Sequence, residues 1–183
     1  TLEEVRDQLP ELVWIWVLDT GAPTARPLDA YAGVRRFDEI LAAPVPEVGI
    51  VSDDPSKPME IMYTSGTTGD PKGVVIRHAR FAAVGSWHAV LGYQPGDRPY
   101  TGLSLTHGNA QLITLSCSLK TGMRAVISRR FSKSRLWDVA RKYGCTTFTL
   151  LGGMTTAIYS EPVRADDADN PVRFVIAAGM PAA

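Results

Sequence analysis

The sequence is poor in the residue types that build metal centres and disulfide frameworks. It contains two cysteines and three histidines among 183 residues. Cys117 and Cys145 lack CxxC spacing and neighbouring ligand residues, so we expect two buried, reduced thiols and neither a zinc site nor a disulfide. The acidic run 166–169 has no complementary ligands and is predicted to be a solvated loop. The sequence therefore predicts no metal site.

Net charge and long apolar runs are also missing. Lys plus Arg and Asp plus Glu both number 19, so no net field attracts nucleic acid or an anionic membrane. The longest apolar runs, 12–18 and 174–179, are strand-sized and fall short of the ~20 residues that span a bilayer. Residues 1–6 lack the features of a signal peptide. We expect a cytoplasmic protein with no transmembrane segment and no nucleic-acid partner.

Glycines, hydroxyl residues and one lysine are instead concentrated in the segment 63–73, YTSGTTGDPKG. Glycine lets backbone N–H groups turn around an anion, while hydroxyls and a lysine donate to phosphate oxygens. The segment therefore predicts a loop that binds the phosphates of a nucleotide. The candidate binding residues are Thr64, Ser65, Gly66, Thr67, Thr68, Gly69 and Lys72. A plain flexible turn joining two strands is the alternative, but it would not need an ordered TSGTTG followed by PKG.

This loop does not follow the rule of P-loop NTPases. That rule, G-x-x-x-x-G-K-[ST], requires glycine before the lysine and a hydroxyl residue after it. Here Pro71 precedes Lys72 and Gly73 follows it. The loop instead resembles, nearly residue for residue, the signature Y-T-S-G-T-T-G-x-P-K-G of the adenylate-forming (AMP-binding) superfamily. The resemblance implies that Lys72 is catalytic and that the loop holds the β- and γ-phosphates of ATP while a carboxylate attacks the α-phosphate.

A second segment, Leu105-Thr106-His107-Gly108, follows a predicted strand and resembles the superfamily's P-[LM]-[FY]-H-x-x-G. The resemblance implies that His107 is catalytic and lies with Gly108 beside the bound acid and adenylate. A neutral histidine there would donate a hydrogen bond to the carboxylate or the α-phosphate. A purely structural histidine is the alternative. Ser104 and Thr106 stand where proline and an aromatic residue are usual, which puts the shape of the acyl pocket in doubt.

Two further elements resemble the superfamily. Residues 178–181, AGMP, resemble the G-[GA]-x-P element that lines the adenine pocket, which implies adenine contacts at Ala178, Gly179, Met180 and Pro181. Gly152 and Gly153 follow a predicted strand and, in the family, border the acyl site. The patterns HGNAQ at 107–111 and FSxSRxW at 131–137 resemble the carnitine/crotonobetaine-CoA ligase-like branch.

Apolar periodicity predicts alternating strands and helices after the phosphate loop. Strands are expected over 12–18, 73–77, 100–105, 124–128, 145–151 and 172–177. Helices are expected over 81–91, over 110–120, between a Ser132 or Ser134 cap and Gly144, and from Gly152 to Tyr159. Phe81, Trp87 and Trp137 are predicted core residues, His78 starts a helix, and His88 is structural.

This alternation predicts an α/β fold, layered, with a largely parallel sheet and helices on both faces. The resemblance makes it part of the large N-terminal domain of an adenylate-forming enzyme. We divide the chain into a helix-strand segment with an irregular connection, 1–58, and a nucleotide-binding α/β subdomain, 59–183. A short amphipathic piece near Phe37, Ile40 and Leu41 interrupts that connection.

Later family segments are absent, namely Y-G-x-T-E with its magnesium-binding acid, S-G-D, and the lysine of the C-terminal domain. The resemblance therefore implies an interior fragment, inactive alone, of an AMP-forming carboxylic acid–CoA ligase (acyl-CoA synthetase) of fatty acid metabolism. Its implied partners are ATP with Mg²⁺, a carboxylic acid, CoA and the missing remainder of its own chain. Two alternatives stay open: an adenylation domain that loads a carrier protein, and a non-catalytic nucleotide-binding module.

Overall fold

The computed structural model describes residues 2–20, 27, 30, 33–45, 47, 49, 53–64 and 69–179. Contacts divide the chain into two compact units, residues 1–52 and 53–183. The domain boundary expected from the sequence, between residues 58 and 59, stays a prediction.

The first unit contains short elements. Helix α1 (Leu2–Val5) runs into a 3-10 turn, Arg6–Gln8. Strands β1 (Ile15–Val17) and β2 (Val34–Arg36) pair in parallel, and α2 (Phe37–Ala42) follows directly. The Arg36 N–H donates to Glu39 Oε1 at 3.2 Å, which satisfies a donor at the start of α2. The predicted strand is therefore confirmed in its centre, and the predicted amphipathic piece is α2.

The second unit begins with a hairpin. Strand β3 (Pro58–Thr64) pairs antiparallel with β4 (Lys72–Arg77), and α3 starts at His78 as predicted. Helix α3 spans His78–Gly85 and continues only as a 3-10 turn, Ser86–His88. The predicted helix therefore ends earlier than expected, and Gly92, with a φ of +82°, closes the turns that follow.

A four-stranded parallel sheet follows, in the order β6-β5-β7-β8. Its strands are β5 (Pro99–Thr101), β6 (Val126–Ile127), β7 (Thr147–Leu151) and β8 (Phe174–Ala178). Between them lie a π-helix (Asn109–Leu115), α4 (Ser116–Thr121), a 3-10 turn (Lys133–Arg135), α5 (Leu136–Tyr143) and α6 (Gly152–Tyr159). The expected sequence of strands and helices is confirmed.

Alternate residues of β7 face opposite layers of helices. Phe148 and Leu150 pack with Leu136 and Ala140 of α5 in the main core cluster, which α6 also covers. On the opposite face, Thr149 Oγ1 lies 3.3 Å from Thr114 Oγ1 of the π-helix, and both residues are buried. The predicted arrangement, a parallel sheet with helices on both faces, is confirmed.

Two local expectations are wrong. Strand β5 stops at Thr101, because Ser104 Oγ accepts the Thr106 N–H at 3.2 Å and turns the chain. Neither Ser132 nor Ser134 caps α5 with its side chain; the 3-10 turn precedes the helix instead. The end of α5 at Gly144, with a φ of +63°, is as predicted.

The predicted core aromatics differ in their burial. Trp137 is partly buried and meets Phe148 edge-on, with ring centroids 5.7 Å apart. Trp87 is 46% exposed, which contradicts the prediction, because α3 ends at Gly85 and the 3-10 turn breaks the helical spacing. Cys117 and Cys145 are free and buried, and burial raises the pKa of each thiol to about 11.

The acidic run 166–169 is less solvated than expected. Asp166 Oδ2 lies 3.0 Å from Arg141 Nη2 and 3.1 Å from Arg164 Nη2, so the loop is held by ion pairs. Among the described residues, no group of three or more His, Cys, Asp or Glu is placed to hold a metal ion. Within the same part of the chain, no helix has the length and apolar character needed to cross a membrane.

Candidate nucleotide and acid site

Residues predicted for the site follow the carboxyl ends of three neighbouring parallel strands. His107 and Gly108 come after β5, Gly152 and Gly153 directly after β7, and Gly179 directly after β8. In open α/β sheets, ligands bind outside the carboxyl ends of the strands. The fold therefore brings these residues to the edge of the sheet where a ligand site is expected.

Gly152 and Gly179 approach each other closely. A Cβ atom at Gly152 would lie 2.0 Å from the Gly179 carbonyl oxygen, whereas a Cβ atom at Gly153 would meet nothing within 4 Å. Gly179 has a φ of +66°, a conformation that side chains disfavour. Ala178 is the last residue of β8, while Met180 and Pro181 lie outside the described residues. The predicted acyl-site and adenine-site glycines thus meet through their backbones.

The candidate phosphate loop is the turn of the β3–β4 hairpin. Thr64 ends β3 opposite Lys72, which begins β4, and Thr64 Oγ1 donates to the Lys72 carbonyl at 3.4 Å. Ser65, Gly66, Thr67 and Thr68 lie outside the described residues. The segment therefore connects two antiparallel strands that pair up to Thr64 and Lys72.

The charge of Lys72 is available to an anion. Lys72 is exposed, and its ammonium group forms no salt bridge with any carboxylate of the described residues. Gly69, with a φ of +156°, lies just before it in the turn. An exposed, unneutralised ammonium group beside a glycine-rich turn is suited to binding phosphate.

One ring nitrogen of His107 accepts a hydrogen bond, and the other has no hydrogen-bond partner among the described residues. Its Nδ1 accepts the backbone N–H of Asn109 at 3.1 Å, so the neutral ring carries its proton on Nε2. The residue is exposed, and the turn before it is held by the hydroxyls of Ser104 and Thr106, 2.9 Å apart. The two residues that depart from the family pattern therefore shape the turn that presents His107. The Nε2–H group can donate a hydrogen bond to an oxygen of a ligand.

The hairpin packs against the segment that follows His107. Glu60 and Met62 are half-buried and alternate with exposed Ile61 and Tyr63. Gln111 Nε2 donates to Glu60 Oε2 at 2.8 Å, and Met62 Sδ lies 3.6 Å from the Cβ position of Gly108. The inner face of β3 therefore meets the start of the π-helix.

Sequence reasoning gave Glu60 no role. Its alternation with the apolar residues of β3 was a usable signal, because it places a carboxylate on the same strand face as Met62. Among the described residues, no hydrogen bond or ion pair links the hairpin directly to Gly152 or Gly179. Those two parts of the site are connected through the neighbouring strands β5 and β7.

A family described as "AMP-binding enzyme" matches residues 1–183. Among curated proteins, the chain is 27% identical to the mouse (Mus musculus) long-chain fatty acid transport protein 6, over 98% of this chain and 28% of that protein. It is 32% identical to the medium/long-chain-fatty-acid–CoA ligase FadD17 of Mycobacterium marinum, over 70% of this chain and 26% of that protein. The chain therefore spans little more than a quarter of these relatives.

Among solved structures, the chain resembles o-succinylbenzoate CoA synthetase (MenE) of Bacillus subtilis. The complex of MenE with its acyl-adenylate intermediate matches with a TM-score of 0.71 and 25% identity, over 100% of this chain and 47% of that chain. The complex with ATP and magnesium ion matches with the same TM-score and identity, over 100% of this chain and 38% of that chain. The likeness confirms the α/β fold predicted for the N-terminal domain of an adenylate-forming enzyme.

Proposed function

This chain belongs to the AMP-binding enzyme family, and from that premise we propose that it is part of a longer AMP-forming carboxylic acid–CoA ligase. A carboxylate oxygen attacks the α-phosphorus of ATP, which forms an acyl-adenylate and releases pyrophosphate. The CoA thiolate then attacks the acyl carbonyl carbon, forms the thioester and releases AMP. The FadD17 ligase and the MenE complexes support this assignment.

The observation that carries the proposal is the β3–β4 hairpin, which brings Thr64 opposite Lys72 and whose strand β3 contacts the segment after His107 through Glu60 and Gln111. Hydroxyl and backbone groups of the turn would hold the β- and γ-phosphates, and Lys72 would balance the charge that grows on the leaving pyrophosphate. Positioning and electrostatic stabilisation are the main contributions of a protein to reactions of this type. We therefore assign pyrophosphate binding to residues 64–72.

His107 would act on the acid. Because Nδ1 accepts the Asn109 N–H, Nε2–H is free to donate to the carboxylate or to an α-phosphate oxygen. Such a donor would orient the carboxylate and stabilise charge at the α-phosphate during attack. We assign acid positioning to His107 and Gly108.

Adenine and the acyl group are assigned to the other part of the site. Residues 178–181 would line the adenine, and Gly152 and Gly153 would border the acyl group. The contact between Gly152 and the Gly179 carbonyl supports placing the two pockets side by side. Mg²⁺ would accompany ATP, as in the MenE complex, and we place its protein ligands outside the described residues.

The names of the relatives also suggest the class of carboxylic acid that is the substrate. Two of the matched proteins carry medium- or long-chain fatty acids in their names, so we propose a fatty acid substrate and a role in fatty acid metabolism. The two buried thiols favour a reducing, cytoplasmic location.

The direct test is ATP–pyrophosphate exchange by the full-length protein with aliphatic, aromatic, steroid-type and amino acids, followed by thioester analysis with CoA. We expect exchange that depends on a fatty acid, and an acyl-CoA product. Exchange with an amino acid and no CoA thioester would identify a domain that loads a carrier protein. ATP binding without exchange for any acid would identify a non-catalytic module.

A further inference from the structure

Glu60 and Gln111 form a contact that the assigned roles do not use. Gln111 Nε2 donates to Glu60 Oε2 at 2.8 Å, across 51 positions of sequence. Glu60 belongs to β3, four residues before Thr64, and Gln111 belongs to the π-helix, four residues after His107. The contact therefore joins the strand that enters the phosphate loop to the helix that follows His107.

Stability alone does not account for Glu60. Its other carboxylate oxygen, Oε1, is buried and has no hydrogen-bond partner among the described residues. A buried polar atom without a partner costs free energy, and an apolar residue would fill the same position on the inner face of β3 without that cost. Unsatisfied groups of this kind require an explanation beyond packing.

Gln111 also contacts His107 directly through the backbone. Its N–H donates to the His107 carbonyl oxygen at 3.2 Å, while its side chain binds Glu60. One residue thus links the main chain of His107 to β3. Because β3 is an extended strand, a shift at Glu60 would be transmitted along it to Thr64.

We propose that Glu60 and Gln111 are positioning residues that hold the His107 segment against the phosphate-loop hairpin and so fix the separation between the acid and the pyrophosphate. This inference rests on the proposed function. Adenylation requires the attacking carboxylate and the leaving pyrophosphate to be placed together, and a displacement of about 1 Å can cost about 100-fold in rate.

The test reverses the pair in the full-length protein. Gln111→Glu places two carboxylates together, and we expect kcat for acid-dependent ATP–pyrophosphate exchange to fall by about 100-fold, with smaller changes in KM for ATP and the acid. Adding Glu60→Gln restores the hydrogen bond in the opposite direction, with the donor now on β3 and the acceptor on the π-helix. The double variant should therefore recover most of kcat. Glu161→Gln, which alters the 2.7 Å pair with Lys133 elsewhere in the unit, is the matched control and should keep the wild-type kcat.

A second double variant separates positioning from stability. Glu60→Met with Gln111→Met removes both polar partners and keeps their approximate size, so folding should be retained, as the melting temperature will report. We expect this variant to fold and to exchange slowly. A wild-type kcat in Gln111→Glu or in the double Met variant would overturn the inference. A Glu60→Gln, Gln111→Glu double variant that folds but keeps a low kcat would overturn it as well. Absence of exchange in the wild-type protein would instead contradict the proposed function.

Discussion

At Gly152, helix α6 begins directly against the carbonyl oxygen of Gly179. The glycine pattern after β7 predicted a site residue here, but the reason for glycine lies in a backbone contact across the sheet. Adjacent Gly153 has open space where a Cβ atom would lie. The sequence alone could not distinguish the two glycines, because the difference depends on Gly179, which follows Gly152 by 27 positions.

The two glycines make a matched pair of substitutions. Gly152→Ala would force the Gly179 carbonyl to move, so we expect weaker ATP binding by the full-length enzyme, with KM for ATP in the exchange reaction raised about tenfold, or about 1.4 kcal/mol. Gly153→Ala should leave KM near the wild-type value. Equal KM values for the two variants would show that the Gly152–Gly179 contact does not shape the nucleotide site.

At His107 and Glu60, some properties could be predicted from the sequence and others could not. The histidine could be named because its segment resembles a known pattern. Its tautomer could not, because it depends on the Asn109 N–H in the folded chain. The partner of Glu60 was equally hidden, since nothing in the local sequence around residue 60 points to Gln111.

The amino ends of three strands are tied together by one buried carboxylate. Asp97 lies before β5, Thr146 before β7 and Arg173 before β8. Asp97 Oδ1 accepts from Thr146 Oγ1 at 2.7 Å, and Asp97 Oδ2 lies 2.5 Å from Arg173 Nη2. Burial raises the pKa of Asp97, but hydrogen bonds from Arg173, the Gln94 N–H and Thr146 outweigh it, and the net pKa lies below 3.8.

This network predicts an acid-sensitive contribution to stability. Because the folded-state pKa of Asp97 is lowered, its stabilisation is present above the ordinary value of 3.8 and is lost as pH falls through the folded-state pKa. In urea unfolding at pH 7, Asp97→Asn should reduce the free energy of unfolding by about 2–3 kcal/mol, with a smaller difference from wild type near pH 3. Asp138→Asn, at an exposed pair with Arg141, should cost less. A constant difference between Asp97→Asn and wild type at all pH values would contradict this account.

Element order after residue 72 was predictable because apolar alternation and glycine breaks are local signals. Helix α5 and strand β7 show this best, since Leu136 and Ala140 of α5 and Phe148 and Leu150 of β7 lie in the core cluster. The strand order β6-β5-β7-β8 and the hydrogen-bond network at Asp97 were not predicted. Contacts between segments that are distant in sequence produce no pattern in the local sequence. Strand β5 was predicted too long because the Ser104 turn depends on a side-chain hydrogen bond within an apolar stretch.

For the whole molecule, the family could be named from the eleven residues 63–73, which include the hairpin turn and the adjoining ends of β3 and β4. The chain spans 28% of the mouse relative and 38% of the MenE chain bound to ATP and magnesium, and the ligase activity proposed above refers to a longer protein. Within this chain, the central proposal is that the turn between Thr64 and Lys72 holds the departing pyrophosphate.

The most direct measurement is the rate of acid-dependent ATP–pyrophosphate exchange by full-length Lys72→Ala. The substitution removes an exposed charge that forms no salt bridge with a described carboxylate, so the fold should be retained, as the melting temperature will show. We predict a rate at least about 100-fold below wild type, because a charge opposite the leaving group is lost. Lys142→Ala, at an exposed lysine beside Tyr143, is the control and should exchange normally. A wild-type rate in Lys72→Ala would contradict the assignment of the hairpin turn to pyrophosphate binding.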